Sequence, residues 1–330
     1  MNTDSIRDKI FPEMLIYIFT FLMAIIATLM LTPLVKKFAA RIGAVDRPNE
    51  RKIHQGDIPR LGGVSIYLGF VLALLLAILL AKLGGRSMEG RHLLGIMLGS
   101  SIILIVGVWD DLRGLKPLTK FIWQVLAASI VIGFGVSINF VSNPLNGLLE
   151  LGWLGIPLTL LWIVGMTNAI NLIDGLDGLA AGVTAISAGT LFFVALRTHQ
   201  IGSAMIMLAL CGSALGFLRY NFFPARIFLG DSGSYFLGFV LAAASVIGVF
   251  KTTLVVALII PVLILGVPIF DTMFAIGRRL KEGRSPFSAD KQHIHHMLLR
   301  AGFTQREAVL SIYVACFLLS ISALLMALQR

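Results

Sequence analysis

Residues 15–35 read LIYIFTFLMAIIATLMLTPLV and residues 62–81 read GGVSIYLGFVLALLLAILLA. Each run holds about twenty residues without a charge, the length an α-helix needs to cross the hydrocarbon core of a bilayer. The rest of the chain has the same character: of 330 residues, 57% are apolar and 13% are charged, against roughly 25% charged in soluble domains. An ordinary soluble protein is thereby excluded. The first run follows Asp4, Arg7, Asp8, Lys9 and Glu13 and lacks a small-residue cleavage signature, so it is expected to be a retained helix. Cys211 and Cys316 both sit in apolar stretches, which offers neither a disulfide framework nor metal-ligand spacing. The net charge of +10 comes without a basic helix or aromatic–basic alternation, so no nucleic-acid partner is expected.

Working outward from the two runs, hydropathy places helices at about residues 14–35, 62–81, 92–109, 120–136, 153–170, 179–196, 203–218, 234–250, 253–275 and 308–328. The expectation is an all-α, polytopic integral membrane protein of about ten transmembrane helices, a single domain over 1–330. Ten spans leave two alternating sets of loops. All but eight of the 27 Lys and Arg residues fall in one set, and the eight are Arg7, Lys9, Lys82, Arg86, Arg91, Arg197, Lys251 and Arg330. The positive-inside rule puts the richer set in the cytoplasm and both termini outside.

With that topology, the polar clusters Asp110-Asp111, Asn168 to Asp177, Asn221 to Asp231 and His293 to His296 all fall at the cytoplasmic face. The outer loops carry no comparable grouping, so one cytoplasmic active site is expected. Asp110 and Asp111 end the third span, the unfavourable end of a helix dipole for negative charge, and require a cation such as Lys116 or a metal. In Asn168-Ala-Ile-Asn171-Leu-Ile-Asp174-Gly-Leu-Asp177-Gly-Leu the polar groups recur every three residues, which on a helix brings them together. Gly175 and Gly178 would open that helix and let backbone approach a ligand. Arg226-Ile-Phe-Leu-Gly-Asp231-Ser-Gly-Ser starts the eighth span, where Asp231 either caps the helix or serves the site. The loop holding His293, His295 and His296 also carries Arg278, Arg279, Lys281, Arg284 and Lys291, which repel a dication and welcome phosphate. The first cytoplasmic loop, with Arg51, His54, Arg60 and Gly62-Gly63, is similarly basic and Gly-rich. Carboxylates and amides without thiols suit a hard divalent ion whose shell substrate phosphates complete. The residues themselves point to Mg²⁺-dependent phosphoryl chemistry at the inner membrane face.

Pro59-Arg-Leu-Gly-Gly63, Asp110-Asp111 with Lys116 and Lys120, Asn168 to Gly178, Phe228-Leu-Gly-Asp231 and His293-Ile-His-His296 follow one another as they do in the polyprenyl-phosphate N-acetylhexosamine-1-phosphate transferases. The chain resembles that family over nearly its whole length, and most of all its undecaprenyl-phosphate N-acetylglucosamine-1-phosphate branch. The phospho-N-acetylmuramoyl-pentapeptide transferases typically carry three consecutive histidines, interrupted here by Ile294. They remain the alternative among enzymes, and a secondary transporter is the alternative of another class.

The resemblance implies that undecaprenyl phosphate attacks the β-phosphorus of a UDP-N-acetylhexosamine, releasing UMP, at the bacterial cytoplasmic membrane, with Mg²⁺ (or Mn²⁺) as cofactor and a homodimer allowed. It implies Asn171 and Asp231 as metal ligands, Asp110 as the group engaging the lipid phosphate, and Asp111 and Asp174 as supports of the metal and phosphate region. Asp177, Asn221 and Phe228, with Gly230, would meet the nucleotide. His293, His295, His296 and Arg284 would meet diphosphate or sugar, and Lys116, Lys120 and His54 would be further substrate contacts. A phosphate monoester has its second pKa near 6 and is mostly a dianion at pH 7, so Asp110 is expected to orient the nucleophile more than to deprotonate it.

Overall fold

The computed structural model describes residues 3–46, 56–84, 90–143, 147–248, 259–283 and 293–328. The apolar runs form α1 (Thr3–Arg41), α2 (Gly62–Leu83), α3 (Gly90–Arg113), α4 (Pro117–Gly133), α5 (Gly155–Ile173), α6 (Leu179–Arg197), α7 (Ile201–Asn221) and α8 (Gly230–Gly248). They are followed by α9 (Ile259–Ile264), α10 (Gly266–Lys281), α11 (Ile294–Arg300) and α12 (Gln305–Leu328). Among the described residues, eight helices are long and apolar enough to cross a membrane, and α4 is a shorter apolar helix.

One expectation needs correction. The ninth span, expected over 253–275, is not one helix in its described part: it breaks at Leu265 between α9 and α10. Gly266 is a weak helix former, and Pro268 has no N–H to give the carbonyl four residues back. That carbonyl, on Ile264, accepts instead from Ser187 Oγ of α6 at 3.3 Å. Pro33 creates the same problem inside α1, where the freed Leu29 carbonyl accepts from Tyr220 OH of α7 at 3.1 Å. In lipid such carbonyls have no water to turn to, so a neighbouring helix must supply the donor. Two of the connections contain short strand pairs. β1 (Val45–Asp46) pairs antiparallel with β2 (Ile58–Pro59), and β3 (Phe140–Asn143) with β4 (Gly147–Glu150).

α8 lies at the centre, packed against α2, α3, α5, α6 and α7, and residues 232–247 are all buried. Helices in lipid gain little from apolarity alone, so close approach through small residues carries the packing. A Cβ on Gly63 of α2 would stand 2.2 Å from Gly233 N, one on Gly107 of α3 2.4 Å from Ser232 Cα, and one on Gly238 2.8 Å from the Met166 carbonyl of α5. These contacts seat the N-terminus of α8 between α2 and α3. Gly212 and Gly216 of α7 do likewise against the Phe21 and Ile25 carbonyls of α1. The opposite face of α1 exposes Leu22, Ile26, Met30, Leu34 and Phe38, a four-residue repeat that presents one apolar stripe outward. By chain direction, α3, α5 and α7 end where α4, α6 and α8 begin, so the motif residues gather at one end of the bundle.

Candidate active site

Three backbone hydrogen bonds join two distant motifs. Phe228 N donates to the Pro59 carbonyl at 2.8 Å, Gly62 N to the Phe228 carbonyl at 3.0 Å, and Gly63 N to the Leu229 carbonyl at 3.0 Å. Leu61 between them is buried with φ of 77°, a conformation an L-residue adopts only when its surroundings impose it. The same register sets Arg60 beside Asp46 of β1, with which its guanidinium forms an ion pair.

The two carboxylates closing α3 have different tasks, because adjacent helical residues point about 100° apart. Asp110 is 4% exposed and surrounded by donors: Leu115 N at 2.7 Å, Tyr235 OH at 3.1 Å and Lys120 Nζ at 2.5 Å. Asp111 faces α8 and accepts from the Asp231 and Ser232 amides at 2.8 and 3.0 Å, so it caps from outside a helix start whose N–H groups have no partner in their own chain segment. Gly230, at φ of 74°, leaves room for that carboxylate, since a Cβ there would meet Asp111 Oδ2 at 2.6 Å. Lys120 reaches from Asp110 to within 3.9 Å of Asp231 Oδ2. Lys116 is the N-cap of α4, preceding Pro117, and is exposed. One turn below Lys120, Gln124 and Asn168 exchange amide hydrogen bonds of 2.7 and 3.4 Å, which fixes α4 against α5.

At the end of α5, Asn171 Nδ2 lies 2.6 Å from Asp231 Oδ1 and 2.8 Å from Ser234 Oγ. The turn from Asp174 to Gly178 is held from three sides. Asp177 accepts from Ala225 N at 2.9 Å, Asn221 Oδ1 from Gly178 N at 3.1 Å, and the Gly178 carbonyl from Tyr313 OH of α12 at 2.6 Å. Gly178 itself has φ of 80°, which favours glycine. Asn221 also donates to the Ile227 carbonyl at 3.0 Å, so its amide braces the turn at Gly178 against the segment that leads into α8.

These elements enclose a cavity of about 920 Å³ lined by Arg60, Asp111, Asn171, Asp174, Asp177, Phe228, Asp231, His296 and Gln305, among others. Burial, and then the charges of Asp231, Asp111 and Asp177, hold the Asp174 carboxyl well above the usual carboxylate range. Among the described residues no three His, Cys, Asp or Glu side chains converge as a ready cage. The donor set nevertheless fits a hard dication. The Asn171 amide, whose oxygen and nitrogen exchange by a flip, abuts the Asp231 carboxylate in a cavity crowded with negative charge, and Mg²⁺ commonly uses one or two protein carboxylates and leaves the remaining positions to phosphate and water.

Of the three histidines, His296 lines the cavity. His293 and His295 stand behind it, 4% and 2% exposed. Burial and the neighbouring His296 and His293 lower His295 to about 4, so it is neutral at pH 7. Its ring packs on Gly175, where a Cβ would meet Nε2 at 2.3 Å. Arg284 and His54 lie outside the described residues.

Sequence reasoning did not single out Asp271, Tyr235 or Gln305, and it noted Arg60 only as part of a basic loop, without its ion pair to Asp46. Asp271 carried a signal, being a lone acid within an expected span, where an ionisable residue is costly unless it has a task.

The signature of glycosyl transferase family 4 matches residues 93–249. A probable undecaprenyl-phosphate N-acetylglucosaminyl 1-phosphate transferase of Bacillus subtilis is 44% identical over 316 residues, 95% of this chain and 86% of the relative. The decaprenyl-phosphate N-acetylglucosaminephosphotransferase of Mycolicibacterium smegmatis is 39% identical, over 89% of this chain and 78% of the relative. An undecaprenyl-phosphate alpha-N-acetylglucosaminyl 1-phosphate transferase of Yersinia pestis is 30% identical, over 93% and 81%. With identity of this degree extending across the helices that build the site, the chain belongs to glycosyl transferase family 4, among the polyprenyl-phosphate N-acetylglucosamine-1-phosphate transferases.

Proposed function

We propose that the protein transfers N-acetylglucosamine-1-phosphate from UDP-N-acetylglucosamine to undecaprenyl phosphate at the cytoplasmic face of the bacterial inner membrane, with Mg²⁺ as cofactor. The observation that carries this reading is the single cavity into which Asn171, Asp174, Asp177, Phe228, Asp231 and His296 converge at one end of a membrane bundle. Its volume suits a nucleotide sugar, and Lys120 stands near Asp231, facing a second, lipid-borne phosphate. In the reaction an oxygen of the lipid phosphate bonds to the β-phosphorus of the donor. The bond from that phosphorus to the bridging oxygen breaks, and UMP leaves with the electron pair.

The chain's own residues bind and orient. Phe228 offers a stacking face to uracil, and the turn at Asp177, braced by Asn221, shapes the nucleotide end. Asp110, occupied by its own donors, fixes Lys120, and Lys120 holds the dianionic lipid phosphate in line for attack. Arg60 and His296 approach the diphosphate and sugar from the other side. Asn171 and Asp231 would hold Mg²⁺, which when bound supplies neutralisation of the diphosphate charge. The reading is tested by incubating purified protein with undecaprenyl phosphate, Mg²⁺ and, separately, UDP-N-acetylglucosamine, UDP-N-acetylgalactosamine and UDP-N-acetylmuramoyl-pentapeptide. Lipid product is expected with the first, and product from the pentapeptide donor alone would overturn it.

The sidedness is tested by labelling. Cys211 and Cys316 are buried, so added cysteines report without background. Ala301→Cys should react with an impermeant maleimide from the cytoplasm and Asn139→Cys from outside; the reverse pattern would place the site on the other face.

A further inference from the structure

The reading above leaves one buried carboxylate without a task. Asp271, on α10, is 7% exposed, and its two oxygens are divided between two donors. Oδ2 lies 2.7 Å from His293 Nδ1, and Oδ1 accepts from Ile294 N at 2.8 Å. His293 occupies the N-cap position of α11 yet makes no side-chain cap bond of its own, so the first amide of that helix is capped from α10. A cap alone would need one oxygen. The second grips the His293 ring at Nδ1 and thereby sets which of its nitrogens carries the proton. From His293 the contacts continue ring to ring: its centroid is 5.9 Å from that of His295 with planes 5° apart, and His295 is 4.2 Å from His296. His295 cannot yield sideways, because it is buried against Gly175. An unbroken line of packed groups therefore runs from α10 to His296, which lines the cavity.

We propose that Asp271 is a positioning residue for the sugar nucleotide: by clamping His293 and the start of α11 to α10, it determines where His296 stands in the site. The inference rests on the reading that His296 faces the sugar nucleotide. Asp271→Asn tests it with little change of volume. The amide can still accept from Ile294 N, but it presents an NH₂ to the side of His293 where the carboxylate accepted. The apparent KM for UDP-N-acetylglucosamine should rise, or kcat fall, by roughly 10-fold, the lower end of what loss of a histidine-orienting carboxylate costs. The KM for undecaprenyl phosphate should stay within about twofold.

The decisive readout is a double-mutant cycle, because a residue acting through His296 has little left to act on once that ring is gone. In a His296→Ala background, Asp271→Asn should cost less than about a further twofold. Should Asp271→Asn not yield folded protein, His293→Asn breaks the same clamp from the other side and enters the same cycle with the same expectation. A penalty that persists undiminished in the His296→Ala background, one that falls equally on both substrates, or no penalty at all would overturn the proposal. If His296→Ala itself leaves the sugar-nucleotide kinetics unchanged, the failure is that of the site reading, and the two outcomes are separated.

Discussion

An Asp231→Asn enzyme should lose roughly 10²–10³-fold in turnover, the range expected when a preorganised charge-stabilising group is removed from an active site, while remaining folded in detergent. Its carboxylate sits at the start of α8, where the helix dipole favours negative charge, beside the Asn171 amide and within 3.9 Å of Lys120. Asn keeps the size and one acceptor oxygen but removes the charge that would draw a divalent ion to Asn171. Removal of one of several mutually repelling carboxylates should not lower the thermal midpoint, so activity and stability are expected to part company. EDTA should abolish turnover of the wild type, and Mg²⁺ or Mn²⁺ should restore it. Wild-type activity undiminished in EDTA would remove the metal from the mechanism, and an active Asp231→Asn enzyme would move the metal elsewhere.

The second large effect is steric. Gly63→Ala is expected to abolish activity and sharply lower the yield of folded protein, although it adds a single methyl group. That methyl would lie 2.2 Å from the backbone nitrogen of Gly233 and 2.3 Å from its Cα, and no rotamer moves backbone aside. α2 and α8 would have to separate at the point where α8 presents Asp231, two residues away. Overpacking of a core costs about 1–3 kcal/mol where side chains can adjust and more where they cannot. Gly165→Ala on α5 is the control, since nothing lies within 4 Å of its added Cβ, and it should be neutral or slightly stabilising. Equal yields and activities for the two variants would show that the α2–α8 contact is looser than described.

Both effects arise from residues whose partners were only partly foreseeable. The membrane helices were legible because a charge-free run of about twenty residues has few alternatives in water or lipid. The gathering of the acidic, amide and histidine clusters followed from the alternation of loops between two sides. Contacts between helices were not legible. Asp110 and Asp111 read alike as a pair, yet only the structure shows that Asp111 caps the first amides of α8 and lines the cavity while Asp110 turns to Lys120 and, one turn further along α8, to Tyr235. In the same way, spacing does not reveal which of His293, His295 and His296 reaches the cavity, because that depends on how α11 is anchored to α10. The break at Leu265 was signalled by Gly266 and Pro268, but the apolarity of the surrounding window outweighed them. Asp271 was masked by the same apolarity.

The most direct measurement follows a single phosphorus atom. Protein reconstituted with undecaprenyl phosphate, Mg²⁺ and UDP-N-acetylglucosamine labelled at the β-phosphate should yield a labelled lipid diphosphate sugar and, mole for mole, unlabelled UMP. Transfer of the sugar without its phosphate would leave the label in released UDP and the lipid unlabelled, and that result would contradict the transfer described here.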